Sequence, residues 1–187
     1  MISPKIIIEA KNKNIQISSM LNLYFSNSEF EDKDKHAITD LVNGTIRMSR
    51  RLNFEIKNVL KGDINSLDEL YLETLKVAVY QIICHKAPNY AIVNETVDIV
   101  KMYFKKYTSL SNALLRNIIR KSTFEAPALV SIDEIARYYS HPTWLTKRWA
   151  GLMHKSKLIN ILESNNQIPK VWFRLRNSEL YDDIKDF

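Results

Sequence analysis

The scarcity of turn-forming residues is the feature that most limits what this sequence can fold into. Three glycines and five prolines occur in 187 residues. A β-sandwich or a doubly wound α/β domain needs many tight turns and usually carries more of both. Because 45% of the residues are hydrophobic, the chain can still fill one core. The composition therefore predicts a helical protein and argues against disorder.

The cysteine and histidine content limits the kinds of site that the chain can build. Cys84 is the only cysteine, which excludes a disulfide framework and multi-cysteine zinc patterns and suits a reducing cytoplasm. The four histidines lack metal-ligand spacing, and the scattered glycines form no phosphate-binding loop. No long apolar run and no secretory signal are present. We therefore expect a cytoplasmic protein without metal, cofactor or membrane partner.

Apolar residues recur at helical spacing through most of the first 165 residues. This periodicity predicts helices over 4–25, 33–61 (as one helix or as two with a break near Ser49), 67–84, 92–106 and 140–164. Capping boxes are predicted for Ser66 with Glu69 and for Ser131 with Glu134, since each pair can satisfy early backbone N–H groups. Residues 170–175 are β-branched and aromatic and predict a single strand.

Basic residues near predicted helix ends are the main candidates for a binding site. The net charge of +6 is only a weak indication of an anionic partner. The candidate contacts to phosphate are Arg47, Arg50, Arg51, Lys101, Lys105, Arg116, Arg120 and Lys121. Asn112, Arg116 and Arg120 are spaced by four, so one helix face could present two guanidinium groups to phosphates. The alternative is an ordinary solvated helix face.

Several residues stand out against their predicted helices. A glycine in mid-helix, such as Gly44, lowers helix stability by about 1 kcal/mol relative to alanine. Its presence therefore predicts that another helix crosses closely at this position. Asn94 and Asn112 interrupt apolar stretches and predict hydrogen bonds between two helices or, alternatively, a contact to a base. Trp144 and Trp149 are predicted to be packing anchors, with base stacking as the alternative.

The predicted helix over 67–84 also has a clear division into faces. Its inward stripe is formed by apolar residues at three- and four-residue spacing, namely Leu75, Ala78, Val79, Ile82 and Ile83. Glu73 and Lys76 fall outside this stripe. We therefore expect both charged side chains to lie in solvent.

Three segments resemble the NusB family, and they occur in the same order as in that family. LKVAVYQIICHKAPNYAIVNETVDIVK (75–101) is similar to its central signature, in which Asn94 and Glu95 open a helix. EDKDKHAITDLVNGTIR (31–47), which contains Gly44, is similar to an earlier helix, and SLSNALLRNIIRK (109–121) to a later one. The resemblance implies an all-α, RNA-binding fold.

Two further segments, SHPTWLTKRWAGL (140–152) and SNNQIPKVWFRLRN (164–177), resemble a junction in RsmB-type ribosomal RNA cytosine-5 methyltransferases. The resemblance implies three parts: a NusB-like RNA-binding domain over 1–125, a linker with a short helix over 126–142, and the leading helix and strand of a methyltransferase subdomain over 143–187. The S-adenosylmethionine loop and the nucleophilic cysteine motifs of that family are absent. We therefore expect no catalysis from this chain alone, with S-adenosylmethionine required only by the missing catalytic domain.

These resemblances predict that the chain binds RNA of ribosomal origin, as the substrate-recognition portion of such a methyltransferase. An alternative is a stand-alone NusB-like transcription antitermination factor that binds RNA together with a ribosomal protein. A complete methyltransferase, or a remnant whose affinity for RNA has decayed, would also fit parts of the pattern. The C-terminal extension favours the methyltransferase portion over the antitermination factor, which leaves it unexplained.

Overall fold

The chain folds into α-helices in a computed structural model that describes residues 1–84, 87–121, 131–168 and 174. The α-helices in these ranges are α1 (Ile2–Lys13), α2 (Ile17–Ser26), α3 (Asp32–Arg47), α4 (Ser49–Val59), α5 (Glu69–Cys84), α6 (Asn89–Tyr103), α7 (Thr108–Lys121), α8 (Ile132–Tyr138), α9 (Thr143–Ala150) and α10 (Lys155–Asn166). Two short 3-10 helices lie at Ile64–Ser66 and Lys105–Tyr107. The predicted all-α class is confirmed, while the predicted strand at 170–175 lies outside the described residues except for Arg174.

None of the helices in the described ranges has both the length and the apolar content needed to cross a membrane.

Helix breaks differ from the prediction at both ends of the chain. The single helix predicted over 4–25 is wrong, because Asn14 adopts the left-handed conformation (φ 51°) and ends α1. Asparagine tolerates this conformation better than most residues. The single helix predicted over 140–164 is also wrong, since α9 ends at Ala150 and is capped by Gly151. The break predicted near Ser49 is confirmed, with Met48 separating α3 from α4.

One of the two predicted capping boxes forms. Glu134 N donates to Ser131 Oγ over 3.2 Å, and Ser131 N donates to Glu134 Oε2 over 2.8 Å. The box predicted at Ser66 is wrong, because its hydroxyl donates to a backbone carbonyl in the preceding 3-10 turn. Asp68 caps α5 instead, accepting a bond of 3.0 Å from Tyr71 N. An aspartate at this position satisfies an otherwise unpaired helix donor equally well.

Helix α5 lies at the centre of a bundle formed by α1–α7 and contacts α1, α3, α4, α6 and α7. Its main core contains the fully buried side chains of Leu52, Ile56, Tyr71, Leu75, Ile82, Leu114, Leu115 and Ile118. A second cluster joins α1, α2 and α3 around Ile6, Met20 and Val42. Each large apolar side chain buried in this way contributes about 1.5–3 kcal/mol.

Helices α8–α10, here called the C-terminal unit, have their own small core. Ile135, Tyr139, Leu158 and Leu162 form it. The Tyr139 hydroxyl donates to Glu163 Oε1 over 2.9 Å. Burial and this carboxylate raise the pKa of Tyr139 to about 12, so the hydroxyl stays protonated near neutral pH. The unit packs on the bundle where α8 contacts α4.

Candidate nucleic-acid interface

Helix α7 presents two arginines on its solvent side. Leu114, Leu115 and Ile118 are buried on its inner side, which leaves Arg116 and Arg120 exposed one turn apart. Such spacing places side chains on one helix face. The predicted exposed face of α7 is therefore present.

Each of these guanidinium groups is oriented by an asparagine of α7. Arg116 Nε donates to Asn112 Oδ1 over 2.8 Å, and Arg120 Nη2 donates to Asn117 Oδ1 over 2.7 Å. Asn117 was not among the predicted site residues, although its spacing of three from Arg120 was a usable signal. The two arginines are thus held in defined directions while they remain in solvent.

Exposed lysines lie at both ends of α7. Lys101 is in the last turn of α6, and Lys105 is in the 3-10 turn that leads into α7. Lys121 is the last residue of α7, and its Nζ donates to Asn58 O over 3.3 Å. At 1.5 Å per residue, the start of α7 at Thr108, which follows the turn with Lys105, is roughly 12 Å from Arg116 along the helix. The structure therefore divides these cations into two groups.

The turn that carries Lys105 is fixed to the core by tyrosines. Tyr71 of α5 stacks on Tyr107 with ring centroids 4.1 Å apart, and its hydroxyl lies 2.9 Å from Ser111 Oγ in α7. Lys106 Nζ, which was not among the predicted contacts, lies 4.7 Å from the centre of the Tyr107 ring. Lys5 of α1 lies 6.0 Å from the Tyr103 ring, a long-range contact without a local sequence signal.

Arg47 and Arg50, two of the arginines at the α3–α4 junction, bind the C-terminal unit. Arg47 Nη1 donates to Asn166 O over 3.3 Å. The Arg50 guanidinium donates to His141 O and to Thr143 Oγ1, at the start of α9. These arginines are half-buried, and their contacts give them a structural role. Their predicted contact with RNA stays a prediction.

Arg51 completes this junction through aromatic contact. Its guanidinium carbon lies 4.0 Å from the centre of the Tyr138 ring in α8. In the opposite direction, Arg137 of α8 lies 4.5 Å from the Phe54 ring in α4. Stacked cation–π pairs of this kind contribute about 0.5–2 kcal/mol each. We call Arg47, Arg50 and Arg51 the arginine junction.

Replacing Arg50 by alanine should loosen the C-terminal unit without unfolding the bundle. Its side-chain bonds to His141 O and Thr143 Oγ1 would be lost, and bonds from a charged donor contribute about 1.5–3 kcal/mol. Hydrogen exchange in 131–168 should accelerate at least tenfold, while exchange in α5 stays unchanged. Arg116→Ala is the matched control, since that arginine is exposed on α7. Equal exchange in both variants would contradict this role of Arg50.

Comparison with known proteins assigns the fold. The sequence profile of the NusB family matches residues 5–120. The chain belongs to the NusB family. Ribosomal RNA small subunit methyltransferase B of Yersinia pseudotuberculosis serotype O:1b (strain IP 31758) is 26% identical over 175 residues, which are 93% of this chain and 39% of that protein. The protein of the same name from Yersinia pestis gives the same values. The chain thus spans about two fifths of the length of these relatives, at their N-terminal end.

Within the NusB match, the four motif residues have different outcomes. The close crossing predicted at Gly44 is confirmed, because a Cβ there would lie 2.0 Å from Tyr80 Cζ. Asn94 and Glu95 are exposed, which argues against the bond between two helices predicted at Asn94, while the alternative contact to a base stays a prediction; α6 begins earlier, at Asn89. Asn112 is half-buried and bonds within its own helix rather than between two helices. The apolar neighbours of these asparagines lie on other faces of the same helices.

The two tryptophans of α9 also differ from each other. Trp149 packs against the core of the C-terminal unit, as predicted for an anchor. Trp144 is 67% exposed, so its prediction as an anchor is wrong. Thr146 occupies the buried side of α9 instead.

Proposed function

We propose that the chain binds ribosomal RNA through the exposed cations of α7 and the α6–α7 turn. The observation that carries this proposal is the pair Arg116 and Arg120, exposed one turn apart and each oriented by an asparagine. A planar guanidinium matches the geometry of a phosphate better than an ammonium does. Lys101 and Lys105 add positive charge at the other end of α7.

The binding mechanism is electrostatic. Each cation that approaches a phosphate releases counterions from the RNA, and this release supplies affinity that falls as salt rises. Contacts to phosphate fix the position of the RNA without reading its sequence. The chain would therefore hold a folded RNA in place rather than act on it chemically.

The relatives support a role as the recognition portion of a ribosomal RNA methyltransferase. Their match covers 175 residues, more than the 5–120 region of the NusB profile, so it includes part of the C-terminal unit. In this proposal the RNA-binding domain ends near residue 125, and a linker with a short helix over 126–142 leads into the first helix and strand of a methyltransferase subdomain. Catalysis and S-adenosylmethionine would then belong to the part of the relatives that this chain does not span.

Co-purification of a ribosomal protein would instead favour the antitermination factor.

Charge reversal on α7 tests the proposed RNA contact. In the R116E/R120E variant, the affinity for a small-subunit ribosomal RNA fragment should fall by at least about tenfold, because two phosphate contacts become repulsive. The slope of log K against log salt should decrease by about 2 in magnitude. Fluorescence anisotropy titrations between about 50 and 200 mM salt measure both quantities.

The matched control is the K33E/K35E variant, which makes the same charge change on α3. Both lysines form exposed ion pairs there, with Glu31 and Asp32. Its affinity should change much less. Equal losses in the two variants would show that only net charge matters and would refute the α7 site, and a wild-type protein without RNA affinity would refute the function.

A further inference from the structure

Helix α9 turns one of its two tryptophans towards solvent. Trp144 is 67% exposed and Leu152, in the turn after α9, is 74% exposed. Arg148 is also exposed and lies one turn from each of them. Tryptophan carries a large apolar ring, and its exposure beside another apolar side chain marks a surface for interaction. We call Trp144, Arg148 and Leu152 the outer face of α9.

The first turn of α9 is firmly anchored beside this face. Arg50 donates to Thr143 Oγ1, the residue directly before Trp144. Thr146 is fully buried, and its N and Oγ1 donate to Pro142 O over 3.0 and 3.1 Å. The indole is therefore presented from a fixed helix end. Such preorganisation lowers the entropy cost of binding.

The charge around the outer face indicates an anionic partner. Residues 141–160 contain four cations, Lys147, Arg148, Lys155 and Lys157, and no aspartate or glutamate. Asp133 partly neutralises Lys147 from α8, with Nζ and Oδ1 3.5 Å apart. The stretch still carries net positive charge, and two of its cations, Lys147 and Arg148, lie on the same helix as the exposed ring. An unpaired RNA strand matches both the exposed ring and the positive charge, since its bases stack on aromatic rings and its phosphates bind arginine.

We propose that the outer face of α9 is a second RNA contact, specific for unpaired nucleotides. One base stacks on the indole of Trp144, and Arg148 binds an adjacent phosphate. This proposal rests on the proposed function and extends it, because α7 contacts phosphates of any RNA whereas α9 selects strands with accessible bases. Duplex RNA cannot offer a base face to Trp144 along its length.

The test compares a short oligouridine with an RNA duplex of equal charge. Trp144→Ala should weaken oligouridine binding about tenfold, a typical loss for one stacked base, and leave duplex binding unchanged. Trp144→Phe should lose less affinity because it keeps a ring. Oligouridine should also quench tryptophan emission in the wild type, and this quenching should largely disappear in Trp144→Phe. Tyr90→Ala, which removes a side chain 73% exposed on α6, is the matched control and should match the wild type.

The outcomes separate this proposal from the function on which it rests. Equal oligouridine affinity in the wild type and in Trp144→Ala would overturn the stacking contact, while duplex binding that depends on Arg116 and Arg120 would still stand. Absence of binding to either RNA would overturn both. If Trp144 emission shifts to the blue with protein concentration and does not respond to RNA, the outer face joins copies of the chain and the RNA contact is refuted.

Discussion

Replacing Glu73 by alanine should destabilise the protein by about 3 kcal/mol, because the Lys76 ammonium would lose its counter-charge inside the bundle. Lys76 is only 6% exposed, and its Nζ lies 2.7 Å from Glu73 Oε1. The prediction that both side chains lie in solvent was wrong, because α5 has neighbours on nearly every side. Urea denaturation followed by circular dichroism measures the change in the free energy of unfolding.

An exposed ion pair on α5 provides the matched control. Glu69 pairs with Lys11 of α1, but their side chains are 47% and 71% exposed. Glu69→Ala should therefore cost less than about 1 kcal/mol. The double variant E73L/K76M removes both charges and should recover most of the lost stability, since an apolar pair avoids the cost of burying ions. Equal losses for Glu73→Ala and Glu69→Ala would contradict the argument from burial.

Replacing Gly44 by alanine should cost about 2 kcal/mol, although alanine is the better helix former by about 1 kcal/mol. The added Cβ would lie 2.0 Å from Tyr80 Cζ and 2.1 Å from Tyr80 Oη. Tyr80 is 7% exposed and its hydroxyl donates to Asp40 Oδ1 over 3.4 Å, so moving the ring disturbs the packing of α3 on α5. Burial raises the pKa of Tyr80 to about 12, which keeps this donor protonated. Thermal unfolding measures the loss.

Gly151→Ala is the control for this overpacking. The nearest atom to a Cβ there is Arg148 O at 3.6 Å. Its φ of −75° suits alanine, so stability should stay the same or rise by about 0.4–1 kcal/mol. In a Tyr80→Ala background, Gly44→Ala should lose most of its cost, because the clashing ring is gone. If Gly44→Ala destabilised the Tyr80→Ala protein as much as the wild type, the loss would not come from contact with Tyr80.

Local signals predicted much of this fold, and long-range contacts explain the failures. The break near Ser49 and the capping box at Ser131 depend on neighbouring residues. The close helix crossing at Gly44 was predictable because a glycine in mid-helix has no Cβ. The partners of Arg50 lie about ninety residues further along the chain. A row of arginines has the same sequence pattern whether it faces phosphates or the carbonyl oxygens of another helix. The burial of Lys76 could not be predicted from the sequence either, because it depends on how many helices surround α5.

The arginine junction depends on different parts of the residues on its two sides: arginine side chains on the bundle, and partly main-chain oxygens on the C-terminal unit. Arg47 and Arg50 bind the main-chain oxygens of Asn166 and His141, and every amino acid supplies such an oxygen. The two bonds therefore do not depend on which residue stands at 141 or 166, whereas they require arginine at 47 and 50. Residues 141 and 166 can consequently change over evolutionary time without loss of these two contacts, whereas Thr143 and Tyr138, whose side chains Arg50 and Arg51 contact, are constrained.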